Sequence, residues 1–562
     1  MEFPDYIKNR IWKDYLPDGM TVEINIPENM SLIDVFETGV KKNAEKINLD
    51  YFGREFTYKE MNHLTRRFAN AFLKLGIKKG DVVALWLPNS PHFSICYFAS
   101  IVLGATLTAI SPLFVAREMT YQLKDSGAKY LIMIDSFYKE YKKAEEQLTL
   151  EKVILVNVEG KVPDIPETDK LIHYNTLMDS NPEPLSEFKV KINPKEDIAI
   201  IQYTGGTTGD PKGAELTHYN AVSNLMQIKQ ISDYMIDTYI KEDLEGISIL
   251  PWYHVYGQIS ELLQGPLNGG KVIIFPTFDI SRIIETIKNK KGNFLLGVPT
   301  MFINILGSPL SNGVDFSKLK YCNVGASAMP IEVAKEWELR TGFPLGEGYG
   351  LSESTVCVTN CPPWGKKKQG SCGPPVASTL VGIIDENLNF LPIGEPGELV
   401  VTGPQIMLGY HNRPEENRLV FFEAGGYRWL RTGDYAKLDD EGYVFLIDRL
   451  KDMIKYKGHS VYPREIEEIL YEHPAIQECA VIGIKDSERG ENIMVNIILK
   501  EEYKGKITDQ EIIAWSKENM AAYKYPRKVK FVNLLPKSAV GKVLRRVIRD
   551  KEIKKAEKRS NQ

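Results

Sequence analysis

The segment Tyr203-Thr-Gly-Gly-Thr-Thr-Gly-Asp-Pro-Lys212-Gly213 gathers three threonines, four glycines and one lysine in eleven residues. An apolar run, DIAIIQ, reads as a strand just before it, and a helix is expected to begin near His218. Glycine lets backbone N–H groups approach phosphate oxygens closely, hydroxyls add further donors, and Lys212 adds positive charge. The composition therefore points to a cradle for a polyphosphate. A Walker A loop would need Gly-Lys-Ser/Thr after a four-residue gap, and Gly-Asp-Pro-Lys-Gly stands here instead, which argues against a P-loop NTPase.

Those residues need a scaffold, and 562 residues are too many for one ordinary domain. Helical and strand patterns alternate through the first 400 or so residues: helical spacing over Met61–Leu75, a strand over Asp81–Leu87, then a helix after Pro91. Such alternation predicts an α/β fold of largely parallel sheets covered by helices. Near Gly394 the texture changes to short strands with glycine turns (GELVVTG, GYRWLRTGD, DEGYVFLID), predicting a small antiparallel or barrel-like unit. After Asp448 come a helix (REIEEILYEH), two strands (AIQECAVIGIKD, ENIMVNIILK) and another helix (DQEIIAWSKENM). This predicts a large N-terminal domain over 1–448 and a small α+β domain over 449–562, with the boundary in DRLKDMIKYKG.

Composition narrows the partners. A net charge of −4 with 43% hydrophobic and 26% charged residues fits a globular enzyme and gives no overall attraction to nucleic acid. Fourteen Lys or Arg between Lys524 and Arg559 face only Asp550, Glu552 and Glu557, which reads as a solvated basic face or as a surface meeting a polyanionic small ligand. Six cysteines make no disulfide framework, and Cys357, Cys361 and Cys372 lack a histidine at zinc spacing. The opening MEFPDYIKNRIWKDY lacks the apolar run of a secretory leader. Residues 89–116 carry no charge, yet Pro91, Gly104 and Pro112 divide them, so a buried helix–strand unit is expected rather than a membrane span. A cytoplasmic protein follows, with peripheral membrane attachment and a homodimer left open.

The loop YTGGTTGDPKG resembles the signature of the adenylate-forming superfamily, which includes acyl-CoA synthetases, luciferases and nonribosomal adenylation domains. PWYHVYG, GEGYGLSES, GELVVTGPQIMLGYHNRPEEN, RTGD, DRLKDMIKYKGHSVYPREIE and PKSAVGKVLRR follow in the superfamily's order. The resemblance implies a two-step acid–thiol ligase: a carboxylic acid and ATP give an acyl adenylate, and the acyl group then passes to coenzyme A. It implies that Thr204, Gly205, Gly206, Thr207, Thr208 and Lys212 hold the phosphates, Tyr349 stacks on adenine, and Glu347, Gly348, Ser327 and Ser352 border the nucleotide. Asp434 and Arg449 match the ribose contacts, Glu353 the Mg²⁺ ligand, and Lys542 the lysine bridging carboxylate and α-phosphate. Lys451 occupies the hinge about which a mobile C-terminal domain turns. Lys455 matches a nucleotide and second-step position, and Lys457 and Gly458 the pantetheine tunnel of CoA.

His254, Tyr256 and Gly325 match positions bordering the acyl pocket, with Trp252, Val298, Pro299, Met301 and Phe302 as apolar wall candidates. Thr277 stands where several members carry a lysine for a CoA phosphate. The run GVPTMF favours a fatty acid of medium or long chain. An aryl or hydroxycinnamate acid, a carrier protein as acceptor, a luciferase-like oxygenase and a non-catalytic nucleotide binder stay open as alternatives.

Overall fold

The computed structural model describes residues 3–204, 211–361, 367–457, 459–486, 489–538 and 541–560, the side chains of 556–560 excepted. Gly205, Gly206, Thr207, Thr208 and Gly458 therefore lie outside the described residues.

Two eight-stranded mixed sheets dominate the chain. In the first, Glu245–Ser248, Phe294–Gly297, Tyr321–Val324 and Leu345–Tyr349 run parallel to one another, with Thr359–Cys361 antiparallel at the edge. In the second, Val82–Trp86 lies parallel between Thr106–Ala109 and Tyr130–Ile134, and Thr106–Ala109 lies beside Ile198–Tyr203. The uncharged stretch is resolved as a helix, Pro91–Val102, followed by the strand Thr106–Ala109, all of whose residues are buried. Ser90 caps that helix by accepting the Phe93 N–H, and Pro91 at its first turn gives up no intrahelical bond. Its 12 residues extend only about 18 Å. Among the described residues no helix is long and apolar enough to cross a membrane.

Residues 380–449 form a five-stranded antiparallel sheet in which Tyr427–Leu438 pairs with Gly397–Thr402, Phe421–Ala424 and Val444–Arg449. The last residues build a separate five-stranded sheet, with Ile476–Asp486 and Gly490–Leu499 as its two longest strands, paired antiparallel. That sheet and the helices Pro463–Leu470 and Asp509–Asn519 enclose a core of their own, from Ile454 to Met520. Much of the basic C-terminal run is paired within this unit: Lys524 with Glu465 at 2.8 Å, Lys537 with Glu478 at 2.6 Å and Arg545 with Glu467 at 2.5 Å. Counting charge along the sequence hid these partners because they lie 59 to 78 residues away.

The helix expected near His218 is present as His218–Met235. Between the loop and the helix His218–Met235 stands the strand Gly213–Thr217, antiparallel to Ile198–Tyr203. The loop thus joins two strands of a hairpin and does not open directly into a helix. Its base is closed by the Thr204 N–H donating to the Lys212 carbonyl at 2.9 Å. Gly213 is fixed by space, since a Cβ there would sit 2.6 Å from Ile201 Cγ2.

Candidate active site

Parallel neighbours place their carboxyl ends on one edge of a sheet, where open α/β sheets form ligand crevices. The segments leaving Glu245–Ser248, Phe294–Gly297, Tyr321–Val324 and Leu345–Tyr349 carry His254 and Tyr256, Val298 and Pro299, Gly325 and Ser327, and Ser352 and Glu353 respectively. A cavity of about 200 Å³ opens at this edge, roofed by the C-terminal unit. Ser327, Glu347, Gly348, Tyr349, Asp434, Arg449 and Lys542 all line it.

Asp434 and Arg449 are built into the antiparallel sheet, where they face each other in register. Arg449 Nε lies 3.0 Å from Asp434 Oδ1, and the Tyr349 hydroxyl donates to Asp434 Oδ2 at 2.7 Å. Burial first, and then the Asp434 charge, push the Tyr349 phenol well above its ordinary range. The aromatic ring and the carboxylate are thereby fixed relative to each other.

Lys542 reaches the same cavity from the C-terminal unit. Loss of water pushes its pKa down to about 8, Arg449 and Arg545 act in the same direction, and Asp434 and Asp452 oppose them. Gly541 explains how the loop comes this close. Its φ of +74° favours glycine, and a Cβ would lie 2.9 Å from Val298 Cγ2 and 3.0 Å from Thr300 Oγ1. An ammonium that is costly to hold without a counter-ion is suited to meeting two anions.

Glu347 is buried beside the cavity with its pKa pushed up to about 7 by desolvation, against the pull of Arg464 and Lys367. The phosphate-loop lysine and Glu353 are linked through a residue given no role from the sequence. Tyr410 donates its hydroxyl to Glu353 Oε1 at 2.6 Å, and Lys212 Nζ lies 5.2 Å from the centre of the same ring. Lys212 also sits 3.6 Å from Glu416 Oε1. In the sequence Tyr410 stands between Gly409 and His411, and only the fold brings it between Lys212 and Glu353. Ser352 is buried in the turn Ser352–Ser354 that presents Glu353.

Among the described residues no group of three or more His, Cys, Asp or Glu is placed to hold a metal. Glu353 alone, half-buried and steadied by Tyr410, fits a magnesium ion that arrives with nucleotide phosphates, since Mg²⁺ usually binds one or two carboxylates plus substrate. Cys357 and Cys372 have thiols pushed up to about 12 by burial, which disfavours metal-binding thiolates.

His254, Tyr256 and Gly325 are not among the residues lining this cavity; His254 Nδ1 accepts the Tyr256 N–H at 3.2 Å, and desolvation holds its pKa down to about 4, so the imidazole is neutral. Gly325 packs flat against Tyr256: a Cβ there would sit 3.0 Å from its ring. Pro299 lines the cavity, whereas Trp252 and Phe302 are fully buried in hydrophobic cores. Packing accounts for those two without a ligand.

Lys455 and Lys457 are not brought to this cavity. Both are exposed; Lys455 donates from Nζ to Ser460 Oγ at 3.1 Å, and the Lys457 N–H donates to the Arg489 carbonyl. Lys451 lies in the turn Leu450–Asp452 between the two units, its pKa lowered by desolvation and by Arg449.

The sequence matches the family described as AMP-binding enzyme over residues 36–411, and AMP-binding enzyme C-terminal domain over residues 465–542. It is 35% identical to a long-chain-fatty-acid–CoA ligase of Bacillus subtilis, over 96% of this chain and 98% of that protein. Among solved structures, an anthranilate CoA ligase in complex with anthranoyl-AMP superposes with a TM-score of 0.83 at 26% identity, covering 94% of this chain and 98% of that one. ATP-bound MatB from Rhodopseudomonas palustris gives 0.82 at 26% identity, over 93% and 99%.

Proposed function

Because the chain belongs to the AMP-binding enzyme family and is an AMP-forming acyl-CoA synthetase, we propose that it ligates long-chain fatty acids to coenzyme A through an acyl adenylate made beside Lys542. The observation that carries this reading is the meeting of Lys542 with Asp434, Arg449 and Tyr349 in one cavity. The substrate class rests on the full-length likeness to the Bacillus subtilis ligase.

In the first step a carboxylate oxygen attacks the α-phosphorus of ATP, forming a C(O)–O–P bond while the Pα–O bond to pyrophosphate breaks. Both reactants are anions. Lys542 screens their repulsion and offsets charge as it develops on the phosphorus oxygens. Asp434 accepts hydrogen bonds from the ribose hydroxyls while Arg449 and Tyr349 hold it in place, so the α-phosphorus arrives in a fixed position. Lys212 offers charge to the departing pyrophosphate. Magnesium, held by Glu353 and the phosphates, supplies further charge neutralisation when bound.

In the second step the CoA thiolate attacks the acyl carbon, the acyl C–O bond breaks, and AMP leaves with that oxygen. With Lys542 beside the adenylate, the C-terminal unit turns about Lys451 to admit CoA. Lys455 and Lys457, exposed here, then come to the cavity in place of Lys542.

The test is a chain-length series of acids with AMP release measured with and without free CoA. Long-chain acids should give the highest kcat/KM, with steady turnover only when CoA is present. A preference for aromatic acids, or turnover that requires a carrier protein, would reject the substrate class or the acceptor.

A further inference from the structure

We propose that Arg464 is a positioning residue for Lys542: it clasps the C-terminal unit onto the large domain in the orientation that forms the acyl adenylate. This rests on the two-step reading above and adds the device that holds its first step.

Arg464 is the second residue of the helix Pro463–Leu470, which follows the hinge turn after two short strands, and it lines the cavity. Its backbone N–H donates to Asp448 Oδ2 at 2.9 Å, and its Nη1 donates to the Leu446 carbonyl at 2.7 Å. Both acceptors belong to the strand Val444–Arg449, on the far side of the hinge from the helix. Its Nε lies 3.6 Å from Glu468 Oε1, and the Glu468 carboxylate faces the backbone N–H of Ile331 in the large domain. Across the cavity, buried Glu347 faces the Arg464 charge.

The same helix connects to the catalytic loop. Glu467 receives Arg545 Nη2 at 2.5 Å, and Arg545 follows Lys542 by three residues. Arg545 Nη1 also lies 3.9 Å from Asp448. The path from the large domain to Lys542 is therefore Leu446 and Asp448, then Arg464, its helix, Glu467 and Arg545.

These contacts sort by whether they cross the hinge. Arg464 with Glu468, and Arg545 with Glu467, lie within the C-terminal unit and survive its rotation. Arg464 with Leu446 and Asp448, and Glu468 with Ile331, cross the boundary and break when the unit turns. A contact present in only one orientation shifts the balance toward that orientation. A charged donor on a carbonyl in a partly desolvated cleft belongs to the stronger class of such contacts.

The test separates the half-reactions in the full-length protein. Acid-dependent ATP–pyrophosphate exchange reports the first, and thioester formation from supplied acyl adenylate and CoA reports the second. Arg464→Met should lower exchange roughly tenfold while leaving thioester formation unchanged or faster. Arg464→Lys should fall between, because its single ammonium cannot serve Leu446 and Glu468 together. Should Arg464→Met fold poorly, Glu468→Gln tests the same clasp and should shift the ratio in the same direction. Equal loss in both half-reactions, or exchange left at the wild-type rate, overturns the proposal. Wild-type protein that forms no acyl adenylate would overturn the proposed function itself, a result visible before any variant is made.

Discussion

The lysine delivered to the cavity makes a pH prediction with a definite sign. Desolvation, Arg449 and Arg545 move the Lys542 pKa from the ordinary 10.5 to about 8 in the ligand-free protein. That shift corresponds to about 3 kcal/mol against the charged form. The cation is fully present well below pH 8 and is lost as pH rises through that value. If adenylation needs the cation, kcat/KM for acid-dependent pyrophosphate exchange should fall about tenfold between pH 7 and pH 9. A lysine with its ordinary pKa would lose only about 3% of its charge at pH 9. Bound carboxylate and phosphate restore the missing counter-charge, so the fall in kcat should lie at higher pH than the fall in kcat/KM. Lys542→Arg keeps its charge throughout and should be slower but flat over this range, whereas Lys542→Ala should lose roughly 100- to 1,000-fold at every pH. The assay is exchange of labelled pyrophosphate into ATP at saturating and limiting acid, with melting temperature followed in parallel. A break near pH 8 that persists in Lys542→Arg would assign the titration to another group and refute the reasoning.

Three further outcomes follow from distances in the site. Asp434→Asn removes the charge that pairs with Arg449 and accepts from Tyr349; KM for ATP should rise at least about tenfold with KM for the acid nearly unchanged, as initial-rate kinetics will show. Gly325→Leu fills the space against Tyr256; the KM for long-chain acids should rise more than that for short ones, and an equal effect on ATP would place Gly325 elsewhere. Gly541→Ala forces a side chain against Val298 and Thr300 at a φ of +74°; pyrophosphate exchange should fall by about an order of magnitude or more, while thioester formation from supplied adenylate is spared.

Local periodicity made much of the scaffold legible. The uncharged run 89–116 resolved into Pro91–Val102 and Thr106–Ala109 because Ser90-Pro91 starts a helix and Gly104 ends it, both local signals. The strand Gly213–Thr217 was missed because GAELT carries too short an alternation to stand out beside a glycine-rich loop. Motif order named Tyr349, Asp434 and Lys542, but only the fold shows that the first two are hydrogen-bonded and that the third reaches them from the C-terminal unit. Tyr410, Arg464 and Glu467 were hidden for a different reason. Each acts by joining segments far apart in sequence, as Tyr410 does with Glu353 57 residues away, and such pairing leaves no periodic trace.

The central claim is that a carboxylate oxygen becomes bonded to the α-phosphorus before the thiol arrives. The direct measurement is isotopic: supply a long-chain fatty acid labelled in its carboxylate with oxygen-18, let the protein turn over with ATP, magnesium and CoA, and analyse the products by mass spectrometry. An acyl adenylate requires one labelled oxygen in each AMP released and none in pyrophosphate. AMP without label, or label appearing in pyrophosphate or inorganic phosphate, would contradict the mechanism.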